Sequence, residues 1–259
     1  MEFQMILVQN REGIFTITLN RPERRNALSP AMWEELSGAF TLAATDQAVR
    51  VIILTAVDGK AFASGSDIGA LHERPHLSTL AYRAGNVLKQ LEELEKPVLC
   101  AVDGWALGGG CELAMACDIR LATRRSRFGQ PELGLGILPG AGGTQRLAAL
   151  VGLARAKELI FTGRVVDAEE ACAMGLVNRV VEDRAALMEA AETMARQIAE
   201  KAPVALQLAK IALNAAGQTN LQAGLTIERL AETVAFSTED RREGTAAFLE
   251  RRSPRFQGR

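Results

Sequence analysis

Apolar positions along this chain repeat with two different periods. Short β-rich runs recur through the first two-thirds: Ile14–Leu19 (IFTITL), Val51–Thr55 (VIILT), Pro97–Val102 (PVLCAV) and Asp118–Thr123 (DIRLAT). Each has the length and composition of a buried strand. Between the first two, Ser29-Pro30 reads as an N-cap followed by proline at the first helical position. Trp33, Leu36, Phe40 and Ala43 then fall on one helical face. A second helical pattern runs roughly from Leu77 to Glu95 and stops before Pro97. Strands joined through helices predict an α/β fold with mostly parallel pairing.

From about Ala154 the helical period takes over. ARAKELIFTG and DAEEACAMG read as two short helices, closed by Gly163 and Gly175. A short strand, VNRVV, precedes three longer helical stretches, Arg184–Glu200, Pro203–Ala216 and Leu221–Phe236, and the tail TEDRREGTAAFLERR. A helix-rich tail without strands of its own must cover either the α/β body or another subunit. No tandem repeat of fixed period and no low-complexity linker interrupts the pattern.

At 259 residues the chain is long enough for a large core, and 48% hydrophobic against 24% charged residues places it among ordinary globular proteins. Thirty basic and 31 acidic residues leave a net charge of −1, which calls for neither nucleic acid nor an anionic membrane as main partner. The start MEFQMILVQNREG lacks the basic opening and long apolar run of a signal peptide, and no stretch approaches the ~20 apolar residues of a membrane span. A cytoplasmic location is the expectation. Cys100, Cys111, Cys117 and Cys172 show no C-x-x-C spacing and read as reduced core residues. His72 and His76 have the spacing of a helical metal pair, but Pro75 between them would break that helix, so a solvated loop is expected. Two histidines also make a Ser-His-Asp triad a poor fit.

The chemistry concentrates in Gly104–Asp118, GWALGGGCELAMACD, with four glycines in seven residues ahead of Glu112. Phosphate binding fails on the residues. Gly104 and Gly109 have P-loop spacing, yet Gly110 and Cys111 stand where Lys and Ser/Thr are needed. The G-x-G-x-x-G spacing of a dinucleotide site is absent too. Bare backbone also lets a ligand approach N–H groups, and amides at a helix N-terminus carry the positive end of its dipole. The stretch therefore offers one donor of an oxyanion hole, and AFASGSDI (Ala61–Ile68), a small-residue turn after a strand, offers a second. Two ordinary tight turns explain the same spacing. A second acid, Glu132 in FGQPELGLGILPGAGGTQRL, sits in another glycine-crowded loop. Two carboxylates in apolar loops suggest an acid and a base with separated pKa values, although a helix N-terminal acid and a solvated loop acid are each common.

The segments LNRPERRNALS, AFASGSDI, KPVLCAVDGWALGGGCELAMACDIRLA, FGQPELGLGILPGAGGTQRL, AKELIFTGRVVDAEEACAMGLVNRVV and STEDRREGTAAFLERR together resemble the enoyl-CoA hydratase/isomerase (crotonase) superfamily, in family order and over nearly the whole chain. The resemblance implies a spiral of ββα units over residues 1–200, with acyl-CoA as substrate. It also implies a C-terminal helical region, 201–259, that builds a homotrimer or a hexamer of two trimers. It places the thioester oxygen between the backbone amides of Ser66 and Gly109, assigns Glu112 and Glu132 to acid–base work, and gives Gly140 the amide that helps hold the attacking water. Ser64, Ser66, Asp67, Ile68 and Gly109 fall on the family's substrate and CoA-binding positions. The implied reaction adds water to a trans-2-enoyl-CoA, with CoA part of the substrate and no separate cofactor or metal. A Δ3,Δ2-enoyl-CoA isomerase, a hydratase of another acyl-CoA pathway, an RNA-binding protein of the same fold and a non-catalytic assembly member are the competing readings. Near-neutral charge argues against the RNA reading and the intact acid pair against the non-catalytic one. Many hydratases carry Ala where this chain has Ser66, a change that keeps the backbone donor. The loop Gly69–Tyr82 lies where the family varies most.

Overall fold

In the computed structural model, which describes residues 3–73, 75 and 83–259, the apolar runs become adjacent strands of a six-stranded sheet. β1 (Ile6–Arg11), β2 (Ile14–Leu19), β3 (Val51–Ala56), β5 (Val98–Val102), β7 (Ile119–Thr123) and β10 (Arg179–Val181) lie side by side in that order. β2, β3, β5, β7 and β10 pair in parallel, as helical crossovers require. β1 is the exception. It pairs antiparallel with β2 through Glu12-Gly13, both at positive φ, the backbone of a two-residue hairpin turn.

A second, four-stranded sheet has the order β4 (Ala61–Ala63), β6 (Trp105–Leu107), β8 (Arg127–Gly129), β9 (Val166–Asp167). β4, β6 and β8 run parallel to one another. Their loops therefore leave the sheet at the same end.

The first helix, α1 (Pro30–Thr45), starts as its sequence predicts. Ser29 Oγ accepts from Met32 N–H at 3.2 Å, Pro30 occupies the first turn, and Trp33, Leu36, Phe40 and Ala43 are buried. α2 (Ile68–His72) is one short turn, and α3 (Arg83–Glu92) falls inside the second expected helix, whose start at Leu77 lies outside the described residues. α4 (Gly109–Met115) is buried along its length. α5 (Gly143–Val151), α6 (Leu153–Thr162) and α7 (Ala168–Ala173) follow, with left-handed Gly163 closing α6. α8 (Arg184–Ala199) buries Leu187, Ala191 and Ala195 against Ile53, Leu99 and Leu121 of the large sheet.

α9 (Pro203–Ala216), α10 (Leu221–Ser237) and α11 (Glu239–Glu250) complete the chain. α9 is tied to the body by polar contacts. Buried Lys210 donates through Nζ to Asp118 Oδ2 at 2.8 Å and to Lys96 O at 3.1 Å, and Asn214 Nδ2 donates to Glu92 O at 3.1 Å. α10 contributes no buried residue at all. All four cysteines are free thiols, three of them buried. Among the described residues, no helix is long and apolar enough to cross a membrane.

Candidate active site

Three loops meet because three short parallel strands end together. β4 runs into Ser64–Asp67, β6 into Gly108 and α4, and β8 into Gln130, Pro131 and Glu132. Ligand sites in parallel sheets form where the carboxyl ends of strands release such loops. The β4 and α4 backbones are pressed together here. A Cβ on Gly110 would stand 2.2 Å from Ala63 O, a separation no side chain survives.

The Ser66 segment pairs with Leu28 as a single parallel bridge. Leu28 N–H donates to Gly65 O at 2.8 Å and Asp67 N–H to Leu28 O at 3.3 Å. That pairing uses the groups flanking Ser66 and turns its own N–H to the opposite side. A Cβ built on Gly109 would lie 3.7 Å from Ser66 N, so the two peptide units are neighbours. Gly109 is the first residue of α4, where an N–H has no intrahelical acceptor. Among the described residues, neither the Ser66 nor the Gly109 N–H donates to a protein acceptor. Two adjacent unpaired backbone donors, one at the positive end of a helix, can hold an oxygen that gains negative charge.

Glu112 lies in the first turn of α4 and is 3% exposed. Its Oε1 accepts from Ala141 N–H at 2.7 Å and from Gly143 N–H at 2.8 Å. Burial raises its carboxyl above the ordinary range, while those two amides and the Arg146 charge pull it back. Glu132 opens the 3-10 turn Glu132–Leu135 and is 9% exposed. A Cβ on Gly108 would come 3.0 Å from Glu132 Oε1, which places this carboxylate directly beside the entry to α4. Burial, with a smaller contribution from the charge of Glu112, pushes Glu132 up to about 7. The amide of buried Gln130 faces Glu132, and turned so that its nitrogen meets the carboxylate, the orientation that satisfies both of its ends, it donates to Oε1 at 3.0 Å and Oε2 at 3.2 Å. Neighbouring Cys111 is pushed up to about 12, chiefly by burial, and stays a neutral thiol.

The structure thus brings Glu112, Glu132, Ser66, Gly108 and Gly109 together. Gly140 is exposed on the loop that carries Ala141 and Gly143 over Glu112. Ser64, Asp67 and Ile68 lie at the mouth. Ser64 N–H donates to Arg25 O at 3.1 Å, Asp67 caps α2 and pairs with Arg21 at 3.1 Å, and Ile68 is largely exposed. Sequence reasoning missed Gln130, Arg146 and the Ala141 and Gly143 amides. All four stand in FGQPELGLGILPGAGGTQRL, but nothing in the spacing shows which way they point. His72 is exposed at the end of α2, and His76 lies outside the described residues. Among the described residues, no cluster of three or more potential ligands could hold a metal ion.

Size alone would point elsewhere. A concavity of about 960 Å³ lies beside α11, lined by Glu239, Glu243, Arg252 and Arg255 among others. Its Glu243 is held down at about 2, first by Arg252 and then by the Arg255 N–H, and so stays ionised as a structural partner. Among the described residues, only the β4–β6–β8 loops join poised carboxylates to free backbone donors.

The family model for enoyl-CoA hydratase/isomerase matches residues 9–259. A short-chain-enoyl-CoA hydratase from Clostridium acetobutylicum is 44% identical over 257 residues, 97% of each chain. A crotonyl-CoA hydratase from Syntrophomonas wolfei is 41% identical over 99% of each. The crystal structure of an enoyl-CoA hydratase from Bacillus anthracis superposes with a TM-score of 0.95 at 40% identity, covering 99% of this chain and 100% of that one. A match this long, on a shared fold, leaves one conclusion: the chain belongs to the enoyl-CoA hydratase/isomerase family.

Proposed function

We propose that this site adds water across the trans-2 double bond of an enoyl-CoA thioester to give a 3-hydroxyacyl-CoA. The observation that carries the reading is the pairing of two buried carboxylates, both raised above the ordinary range, with two unpaired N–H groups. The enzyme is a carbon–oxygen lyase. The thioester oxygen lies between the Ser66 and Gly109 amides, which withdraw electrons from the enoyl system and make Cβ electrophilic. As oxygen adds to Cβ, negative charge develops on the thioester oxygen, where the two donors and the α4 dipole stabilise it. Glu112, held in its ionised form by the Ala141 and Gly143 amides, takes a proton from the attacking water. Glu132, protonated up to about pH 7, delivers a proton to Cα. Gly140 N–H helps hold the water. Ser64, Asp67 and Ile68 line the CoA path with their backbone at the mouth of the cleft. The scheme needs no metal or redox cofactor, and CoA arrives as part of the substrate.

The same reading includes a homotrimer or hexamer, built by residues 201–259 on a catalytic body of residues 1–200, in the cytoplasm. Exposed apolar side chains on α10 and α11, among them Leu221, Leu230, Phe236 and Phe248, support that assembly. A panel of trans-2-enoyl-CoA thioesters differing in length and branching tests the reaction. Loss of the enoyl-thioester absorbance with formation of 3-hydroxyacyl-CoA is the expected result. Interconversion of 3-enoyl and 2-enoyl thioesters without water addition would replace the hydratase with an isomerase.

A further inference from the structure

Arg146, on the first turns of α5, touches neither carboxylate of the site yet fastens the loop that holds one of them. Its Nη1 donates to Ala141 O at 2.8 Å. Its Nε and Nη2 donate to the two Glu92 oxygens on α3, at 3.2 and 2.9 Å. The side chain is 16% exposed, and that of Glu92 34%, so the bidentate pair is largely withdrawn from water. Ala141 is therefore clasped on both sides. Its carbonyl is held by the guanidinium, and its N–H, like that of Gly143, points to Glu112 Oε1. The guanidinium also packs over Gly142, where a Cβ would meet Arg146 Nη1.

We propose that Arg146 is a positioning residue for the hydration step. Anchored by Glu92, it fixes the Pro139–Gly143 loop so that two amides hold Glu112 ionised and aimed at the attacking water. The inference rests on the hydratase reading above. Among the described residues, the groups that face Glu112 are Glu132 from the 3-10 turn, Cys111 from α4 itself, and Arg146 from α5 with its partner Glu92 from α3. Glu132 and Cys111 are neutral at mildly acid pH, which leaves the Arg146–Glu92 pair as the charged influence on Glu112 there.

The acid limb of the pH profile follows from this arrangement. Activity requires ionised Glu112, so the limb marks the pH at which it gains its proton. Arg146→Met removes a nearby positive charge and loosens the amides. The limb then moves upward by about one pH unit, the low end of what a single close charge produces. Misalignment lowers kcat by roughly 10–100-fold, while KM for the acyl-CoA stays close to the parent value because the Ser66 and Gly109 donors are untouched. Arg146→Lys keeps the charge and one donor, and returns the limb to the parent position. Glu92→Gln, with the guanidinium in place, shifts it the opposite way, downward, by removing the counter-charge.

The experiment measures kcat, KM and their pH dependence for the parent and the three variants, with melting temperature recorded alongside. A wild-type enzyme that hydrates no member of the enoyl-CoA panel removes the parent reading. An active wild type whose acid limb stays in place in folded Arg146→Met overturns the inference alone. An acid limb that Arg146→Lys leaves displaced as far as Arg146→Met also overturns it, since restoring the charge would then do nothing for Glu112. Should Arg146→Met fail to fold, Arg146→Gln decides the matter: a limb moved upward supports the clasp, and an unmoved one overturns it.

Discussion

Glu112 and Glu132 show how one side-chain type is fitted for two tasks by its surroundings. Both are buried, and burial disfavours the charge on each. Glu112 recovers two backbone N–H donors and a nearby guanidinium, whereas Glu132, with its own N–H and the neutral Gln130 amide as donors, also meets the charge of Glu112. The first is left the easier to ionise, the second the better proton donor. Replacing either with Gln keeps the shape and removes the proton chemistry, so each change is expected to lower hydration kcat by about 10²–10⁴-fold. Steady-state kinetics on a 2-enoyl-CoA checks this, and the double variant should lose little beyond the worse single one. Turnover of Glu112→Gln near the parent rate would sink the assignment. Stability offers an independent check on Glu132. Its folded value of about 7 lies above the ordinary 4.5, so the folded state holds the proton more tightly than the unfolded chain. That contribution is complete below about pH 4.5 and is lost as the pH rises through 7. Glu132→Gln should therefore melt higher than the parent at pH 8, by about 1 kcal/mol after allowing for water at the cleft, and the gap should close near pH 4.5.

Among the elements, the deciding feature is the registry of β4, β6 and β8, which no hydrophobic period announces. Strands of three residues are shorter than any window in which alternation can be counted, so AFASGSDI reads as a turn although Ala61–Ala63 is a strand within it. β1 escaped for a different reason. ILVQNR buries only its first residue, and the Glu-Gly turn after it lacks the commoner Asn-Gly or Asp-Gly signal. By contrast, β2, β3, β5 and β7 were legible because apolar side chains cover both of their faces. Glu112, Glu132 and the glycines could be singled out by residue type. Their convergence, and the amides over Glu112, depend on contacts between segments far apart in the chain. Two substitutions probe the shared strand ends. Gly110→Ala drives a methyl into Ala63 O, and is expected to cost about 3 kcal/mol or more and to yield a destabilised or insoluble protein by thermal melting. Ser66 is used through its N–H, so Ser66→Ala should keep most activity while Ser66→Pro, with no donor, should abolish kcat. Collapse of folded Ser66→Ala to background would point instead to chemistry at the hydroxyl.

At the scale of the whole molecule, the last helices carry more apolar surface than a lone chain can use. α10 buries no residue, and Leu230 and Val234, one turn apart, are 64% and 50% exposed. Phe236, near the end of α10, is 58% exposed as well, and Phe248 and Leu249 on α11 are more open still. Scattered exposed leucines are normal on protein surfaces, but an apolar row along one helix, followed by more on the next, marks an interaction face. A homo-oligomer is the partner the reading above supplies, and it makes a sharp demand on two residues. In an isolated chain, Leu230→Asp with Val234→Asp places charges where water already reaches, so folding of the single chain should lose about 1–2 kcal/mol, from helix propensity, the i,i+4 repulsion and the helix C-terminus. In an assembly the same charges would be buried without partners, a cost large enough to separate subunits. Sedimentation velocity on the parent should therefore show a trimer or hexamer, and the double variant a smaller species with unchanged helix content. A parent that sediments as a monomer, or a variant that keeps the parent's size, would move the interface off α10.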